Sequence, residues 1–330
     1  MRTVRALLFF GVVWLHAMAG SFDFGDTNVI RSLAEANGVQ LVILFYLFVI
    51  ALGVKAALVP LHGWLPVAMI APAPVSALLH AVAVVKAGAF GLLRLVQDVY
   101  GIHFAHEQGL LTPLAVAAAV TILYGSIRAL FQRDLKRRLA FSTASQVSYI
   151  ALGVAIFGPL ATIGSLVHLV HQGLMKITLF FCAGNFAETL GIHNIDELAG
   201  VGRRMPWTMA AFTVAAFGMI GVPPTAGFIS KWYLGTGALS AGQAWVVGVL
   251  VASTLLNAAY FLPILHIGWF RKPAKPWAPA KVARFAETSR LLLIPALVTA
   301  ALSLAVGLFA ASPFSPLDLA VQITERVYAK

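Results

Sequence analysis

The chain has 330 residues, 60% of them hydrophobic and 11% charged, with a mean hydropathy of +0.88 and a formal charge of +11. Such apolarity excludes an ordinary water-soluble domain and points to an all-α polytopic membrane protein. A single cysteine, Cys182, excludes a disulfide framework or a multi-cysteine metal site. No CxxC, P-loop or GxGxxG pattern is present, so no cofactor is expected, and the cations lie mostly in short loops, where they set topology and do not argue for nucleic acid.

In chain order, about nine apolar runs are long enough to span a bilayer: 4–20, 39–59, 74–96, 110–131, 139–157, 160–185, 206–234, 244–269 and 290–311. The first has no clear cleavage site and reads as a span, not a removable leader. Arg133, Lys136, Arg137 and Arg138 follow the fourth span and Arg203 and Arg204 precede the seventh. Arg271, Lys272, Lys275, Lys281 and Arg284 precede the ninth. With simple alternation these loops share one side with Arg2 and Arg5, which predicts a cytoplasmic amino terminus and an outer carboxyl terminus in the plasma or inner cell membrane.

Prolines interrupt two of the runs. LVPLHGWLP places Pro60, and GVPPTAGFISK places Pro223 and Pro224, in or at the end of a span that each should break. SALLHA at 76–81 resembles STLLNA at 253–258, and both pairs are offset by five spans, an odd number that inverts the second copy. Inverted repeats with broken helices are a transporter signature, with unwound backbone lining a cavity near the midplane. The expected organisation is the last three helices of an incomplete first repeat (1–97), a complete five-helix repeat (110–270), and a basic loop, final helix and short tail (271–330). Two further spans are expected ahead of the first.

The most unusual run is SLVHLVHQGLMKITLFFCAGN, at 165–185. His168, Gln172 and Lys176 recur every fourth residue, a polar stripe covering about 12 Å of helix axis. Lys176 is followed by ITLFF, which leaves it no nearby interface to snorkel to. The spans also hold Lys55, His80, Lys86, His171, Lys231 and His266, whereas none of the twelve carboxylates lies deep in one. A charge at the bilayer centre costs about 2.5–3.5 kcal/mol on insertion scales. These amines therefore either carry protons transiently or receive a carboxylate from a partner. His103, His106 and Glu107 offer three potential ligands within five residues but no fourth, so no metal site is expected. His62 should face water or cap the first break, and Trp207 and Trp269 should sit at interface depth.

Five stretches carry a family resemblance: LGVKAALVPLHGWLP, APAPVSALLHAVAVVKAGAFGLLRL, DLKRRLAFSTASQVSYIALG, HLVHQGLMKITLFFCAG and GRRMPWTMAAFTVAAFGMIGVPPTAGFISKWYL. Together they resemble the antiporter-like proton-pumping membrane subunits of respiratory complex I, membrane-bound hydrogenases and Mrp-type cation/proton antiporters. MKITLFFCAG and GRRMPWTMAAF resemble the Mrp D subunit most. The resemblance implies a proton path through Lys55, His80, Lys86, His168, His171, Lys176 and Lys231, with helix breaks at Pro60, Pro223 and Pro224. It implies no catalytic residue and no bound metal. Gln172 departs from the pattern, standing where many relatives carry a second histidine. The glutamate that pairs with the position of Lys55 has no counterpart here. The implied function is proton translocation coupled to Na+ or K+ antiport, in a transporter subunit that is not itself an enzyme. One alternative is a proton-pumping subunit of an NADH:quinone oxidoreductase or hydrogenase, with redox chemistry on other subunits; another is a non-conducting structural fragment. The implied partners are other integral subunits, the lipid bilayer, protons and monovalent cations.

Overall fold

A computed structural model describes residues 2–20, 27–70, 73–273 and 287–329. Among them the chain is helical almost throughout, with a single isolated β-bridge between Asp134 and Asn194. The helices are α1 (Arg2–Ala19), α2 (Thr27–Ala56), α3 (Trp64–Val67), α4 (Ala73–Ala77), α5 (Val84–Arg94), α6 (Ile102–Glu107), α7 (Leu111–Leu130) and α8 (Leu135–Ala155). There follow α9 (Pro159–Leu190), α10 (Val201–Arg204), α11 (Pro206–Ile220), α12 (Ala226–Ser240), α13 (Ala244–Phe270), α14 (Arg290–Leu308) and α15 (Pro316–Tyr328). Five described stretches are both long and apolar enough to cross a membrane: 37–67, 111–130, 159–190, 244–270 and 290–308.

Helix α8 fails that apolarity test for a physical reason. Every one of its residues but Lys136 and Arg137 is buried, including Ser142, Thr143, Ser145, Gln146 and Ser148. A helix surrounded by other helices need not be apolar, because its serine and threonine hydroxyls find partners in protein, although both polar atoms of Gln146 have none among the described residues. Ser126 and Ser145 hydroxyls meet at 2.9 Å, and the Ser145 hydroxyl also donates to the Ile122 carbonyl at 2.9 Å. Thr143 and Ser148 donate to carbonyls of their own helix. Asp134 caps the start of α8, its carboxylate accepting from the Arg137 N–H at 2.7 Å.

The core falls into two large apolar clusters. One gathers α2, α5, α7 and α8 around Phe45, Tyr100 and Ile150; the other gathers α9, α11, α13 and α14 around Phe180, Phe212 and Phe261. Helix α9, running from Pro159 to a left-handed Gly191, passes between them. Large apolar side chains such as Phe9, Val39, Leu255, Phe270 and Leu291 stand exposed on the outside, as lipid-facing surface requires.

Both proline-marked segments interrupt the helix. Helix α2 ends at Ala56, four residues before Pro60, and short 3₁₀ and α turns carry the chain from Leu61 to Ile70. The freed carbonyl of Val54 is met by the Trp64 indole at 2.6 Å, and the Leu58 N–H returns to the Gly53 carbonyl at 2.9 Å. Helix α11 ends at Ile220, and α12 starts at Ala226 beyond Pro223 and Pro224. The third expected span is also divided. Five-residue π-helical stretches at Leu78–Val82 and Leu95–Val99 flank α5, and nothing in the local Gly or Pro content announces them. The segment expected as a short tail contains helix α15. Its Tyr328 hydroxyl accepts from the Gly158 N–H at 2.9 Å, and Ala320 packs on Ile163 and Val167 of α9.

Glu287, expected in a basic loop, is a buried helix cap. Its carboxylate accepts from the backbone N–H of Trp207 at 2.8 Å and Thr208 at 2.5 Å, and from the Thr208 hydroxyl. The positive end of α11 explains that placement.

Candidate functional site

The polar stripe of α9 faces protein along its length: His168, His171, Gln172 and Lys176 are all fully buried. The Lys176 amine donates to the Ser142 hydroxyl at 2.7 Å and the Leu139 carbonyl at 3.3 Å, both on α8, and lies 6.0 Å from the centre of the Phe261 ring. From Ser142 the contacts continue. Its hydroxyl is 2.8 Å from the Tyr260 hydroxyl, which donates to the Asn257 side-chain carbonyl. Asn257 donates in turn to the Met219 carbonyl at 3.3 Å.

Lys231 reaches the same carbonyl from the other side. Its amine donates to Met219 at 2.9 Å and Ile220 at 2.7 Å, with Thr254 at 3.4 Å. Those two carbonyls end α11 and have no intrahelical donor, so Lys231, one turn into α12, caps the broken helix with positive charge at its negative end. Gly221 permits this. It ends α11 at φ +91°, and a Cβ there would lie 2.9 Å from the Lys231 side chain. A continuous set of hydrogen-bonding groups thus joins Lys176 to Lys231 through Ser142, Tyr260, Asn257 and the end of α11.

His168 sits beside this set. Its Nε2 is 3.1 Å from the Gln146 carbonyl and its Nδ1 2.8 Å from the Ser230 hydroxyl. A carbonyl only accepts, so Nε2 carries a proton. Ser230 also lies 3.2 Å from the Gly227 carbonyl. A neutral His168 accepts the Ser230 proton at Nδ1; a protonated one donates there while Ser230 turns to Gly227. One hydroxyl serves both protonation states. Tyr149 stacks on the imidazole at 5.2 Å between centroids, and the Lys231 amine lies 5.7 Å from the centre of the same phenol.

On the other flank, the buried Lys86 amine donates to the Leu169 carbonyl of α9 and lies beside Gly173. His171 Nδ1 is 2.7 Å from the Ala226 carbonyl at the start of α12. Its Nε2 and both polar atoms of Gln172 have no hydrogen-bond partner among the described residues. His80 lies in the π-helical stretch before α5, but its side chain falls outside the described residues.

Lys55 is half-buried in the last turn of α2, its backbone against Gly88 of α5. Among the described residues the ion pairs are Arg31–Glu107 at 3.2 Å and Arg94–Asp98 at 3.0 Å, and neither involves a spanning lysine. The break that holds an amine on its carbonyls is therefore the one at Ile220, with Lys231, and not the one near Lys55. His266 is exposed on α13. His62, at the first break, packs edge-on against Tyr124 at 4.9 Å. His103 and His106 pack on Phe157, and Glu107 pairs with Arg31. Trp207 is exposed, and the Trp269 indole donates to Thr213 at 2.9 Å.

Sequence patterns alone did not mark Ser142, Tyr149, Ser230, Asn257 and Tyr260. Hydroxyls and amides inside spans carry a faint signal; the one available clue was Asn257, inside STLLNA opposite His80 in the repeat comparison.

Comparison with known proteins extends this geometry. Residues 3–257 match the family described as NADH:quinone oxidoreductase/Mrp antiporter, transmembrane. The N subunit of the NADH-quinone oxidoreductase of Desulforudis audaxviator is 42% identical over 313 residues, covering 91% of this chain and 61% of that protein. The D subunit of the Na(+)/H(+) antiporter of Alkalihalophilus pseudofirmus is 28% identical, covering 96% of this chain and 62% of that protein. The chain thus spans a little over three-fifths of these relatives. Its fold matches a chain of the Mrp complex from Dietzia sp. DQ12-45-1b, with a TM-score of 0.86 at 24% identity over 99% of this chain and 66% of that one. A chain of an archaeal membrane-bound sulfane sulfur reductase matches with a TM-score of 0.83 at 25% identity, covering 99% of this chain and 65% of that one.

Proposed function

This chain belongs to the NADH:quinone oxidoreductase/Mrp antiporter transmembrane family, and on that footing we propose that it is a proton-translocating membrane subunit of a larger complex. The observation that carries the reading is Lys176, fully buried at mid-helix and bonded, among the described residues, to a hydroxyl and a carbonyl alone. An amine so placed, with a hydrogen-bonded series leading from it, has no structural task that a leucine would not perform at lower cost. The proposed path runs from Lys86 past His168 and His171 to Lys176, then through Ser142, Tyr260 and Asn257 to Lys231, with His80 also on the route. Water completes it beside His171 and Gln172, whose polar atoms are left for it. The breaks at Pro60, Pro223 and Pro224 open backbone carbonyls toward the path, within an inverted pair of repeats. The nine-span count and the cytoplasmic amino terminus belong to the same reading.

In the first version, coupling is to monovalent-cation antiport, as the name of the antiporter relative suggests. A second version, proton pumping driven by redox chemistry on other subunits, is favoured by the 42% identity to the oxidoreductase relative against 28% to the antiporter one. In both, Lys55 takes its anion from a glutamate on a preceding span, encoded upstream or by a partner chain, because no ion pair among the described residues reaches it. A structure of the assembled complex with no carboxylate near Lys55 would remove that part.

The test is Lys176→Ala in the assembled complex, reconstituted into proteoliposomes with a pH-sensitive dye. Proton movement should be lost and assembly retained, since the change removes a proton site together with a buried amine. Proton movement at the wild-type rate would overturn the relay and leave the non-conducting structural reading.

A further inference from the structure

The turn between α7 and α8 carries more positive charge than the fold consumes. Arg138 is spent internally: its guanidinium donates to the carbonyls of Gln132 at 2.7 Å, Tyr260 at 3.0 Å and Leu130 at 3.1 Å. Arg128 and Arg137 are not. Both are exposed, and neither guanidinium makes a hydrogen bond or an ion pair with the described residues.

These two side chains line one open recess of about 490 Å³, within the range of small-molecule sites. Gln132 and Asp134 complete its polar part. Asp134 is the one carboxylate there, and it is engaged as the cap of α8. The rest of the lining is apolar, built from Pro66, Val67, Met69 and Phe141. Val67 is 66% exposed, and Arg128 lies 5.5 Å from the centre of the Phe141 ring. The recess lies where α7 ends, at the boundary between an apolar span and a basic turn.

Two guanidinium forks facing one engaged carboxylate favour a multivalent anion, and the fork matches phosphate oxygens bidentately. An apolar half-wall at a span end favours an anion that carries hydrocarbon. We propose that this recess binds the headgroup phosphate of an anionic phospholipid, gripped by Arg128 and Arg137, with its acyl chain leaving over Val67. A zwitterionic lipid would bring its ammonium against the same two cations and bind less well.

The experiment uses the chain with the subunits that copurify, delipidated in detergent and reloaded with dioleoylphosphatidylglycerol or dioleoylphosphatidylcholine, with retained lipid counted by native mass spectrometry. One phosphatidylglycerol should be retained about tenfold better than phosphatidylcholine. Arg128→Gln with Arg137→Gln should abolish that preference, whereas Arg133→Gln, outside the recess, should leave it intact. Replacing both with Lys should give an intermediate result, because the charge remains without the fork. Equal retention of the two lipids by the wild type overturns the proposal, as does an unchanged preference in the double Gln variant. Displacement of the lipid by sodium phosphate at about ten times the lipid concentration overturns it in favour of a free-anion site. If the double variant melts early, the wild-type competition between the two lipids decides alone.

Discussion

Tyr260→Phe tests the link between Lys176 and Lys231 with the removal of one oxygen atom. The ring is fully buried, with its centroid 4.7 Å from that of Phe261, so a phenylalanine fills the same space. Ser142 still accepts from Lys176 and the Asn257 amide N–H still donates to Met219, while the Asn257 side-chain carbonyl loses its donor and the Ser142 hydroxyl its acceptor. The stability loss is then that of leaving a buried polar group unsatisfied, about 1–3 kcal/mol, and assembly should survive. Transport should not. With the hydroxyl gone, the Ser142 oxygen, 2.8 Å from it in the wild type, has no onward acceptor, and a positioned proton-transfer group is typically worth about 10²–10⁴ in rate. Proton uptake by reconstituted vesicles should therefore fall at least about a hundredfold. Ser142→Ala interrupts the same series one step earlier, so the double variant should be no slower than either single one, the non-additivity expected of groups acting in sequence. Wild-type transport by Tyr260→Phe in a preparation where Lys176→Ala is inactive would refute the route.

Ser230→Ala removes the group that serves both states of His168, and vesicle transport should fall about tenfold or more, while Ser230→Thr, which keeps the hydroxyl, should restore most of it. Lys176→Arg should assemble and melt as the wild type does yet fail in the same assay, because arginine does not release its proton. Glu287→Gln weakens the cap of α11 and should lower thermal stability in detergent by about 1 kcal/mol, with no change in lysine-dependent transport per assembled complex. Glu197 is held below the usual carboxylate range by the N–H groups of Asn194 and His193. Its folded form is the better acid, so its contribution is present above the unfolded value of about 4.3 and lost as pH falls through the folded one; hydrogen exchange in 193–198 should quicken only on acidification below about pH 4.3.

The membrane class, both helix interruptions and the polar face of α9 were legible because each rests on a strong local rule. Apolar length reveals spans, proline cannot continue a helix, and ionisable residues in hydrocarbon need a reason. The partners of those residues were not legible, because they follow from tertiary contact. Tyr260 meets Ser142 across 118 positions of sequence, and Glu287 reaches Trp207 across 80. Asp134 gave no sign of capping α8, and Arg138, two places into a basic run, gave none of bonding to the Tyr260 carbonyl. The π-helical stretches around α5 were silent for another reason. An extra residue in a helical turn is set by how α4 and α5 seat against their neighbours, and no side-chain pattern marks it. Helix α15 was read as a tail because its 13 residues are too few and too polar for a span, although Ser315 and Pro316 form an ordinary helix start.

The acceptors that hold the amines of the spans bear on how such a path would run. Lys86 is held by a carbonyl, Lys176 by a hydroxyl and a carbonyl, and Lys231 by two helix-end carbonyls, with no carboxylate paired to any of them among the described residues. A fixed carboxylate at about 4 Å would contribute about 4 kcal/mol at an effective dielectric of about 20, which a neighbouring site cannot match. A charge change about 12 Å away is worth about 1.4 kcal/mol in the same medium. Against a salt bridge that influence is minor; against neutral dipoles it is enough to shift a proton from one site to the next by about a factor of ten. Lysines seated on neutral acceptors can thus be steered by one another through charge alone, and a hydroxyl such as Ser230, able to turn between two acceptors, lets the intervening histidine follow without backbone movement.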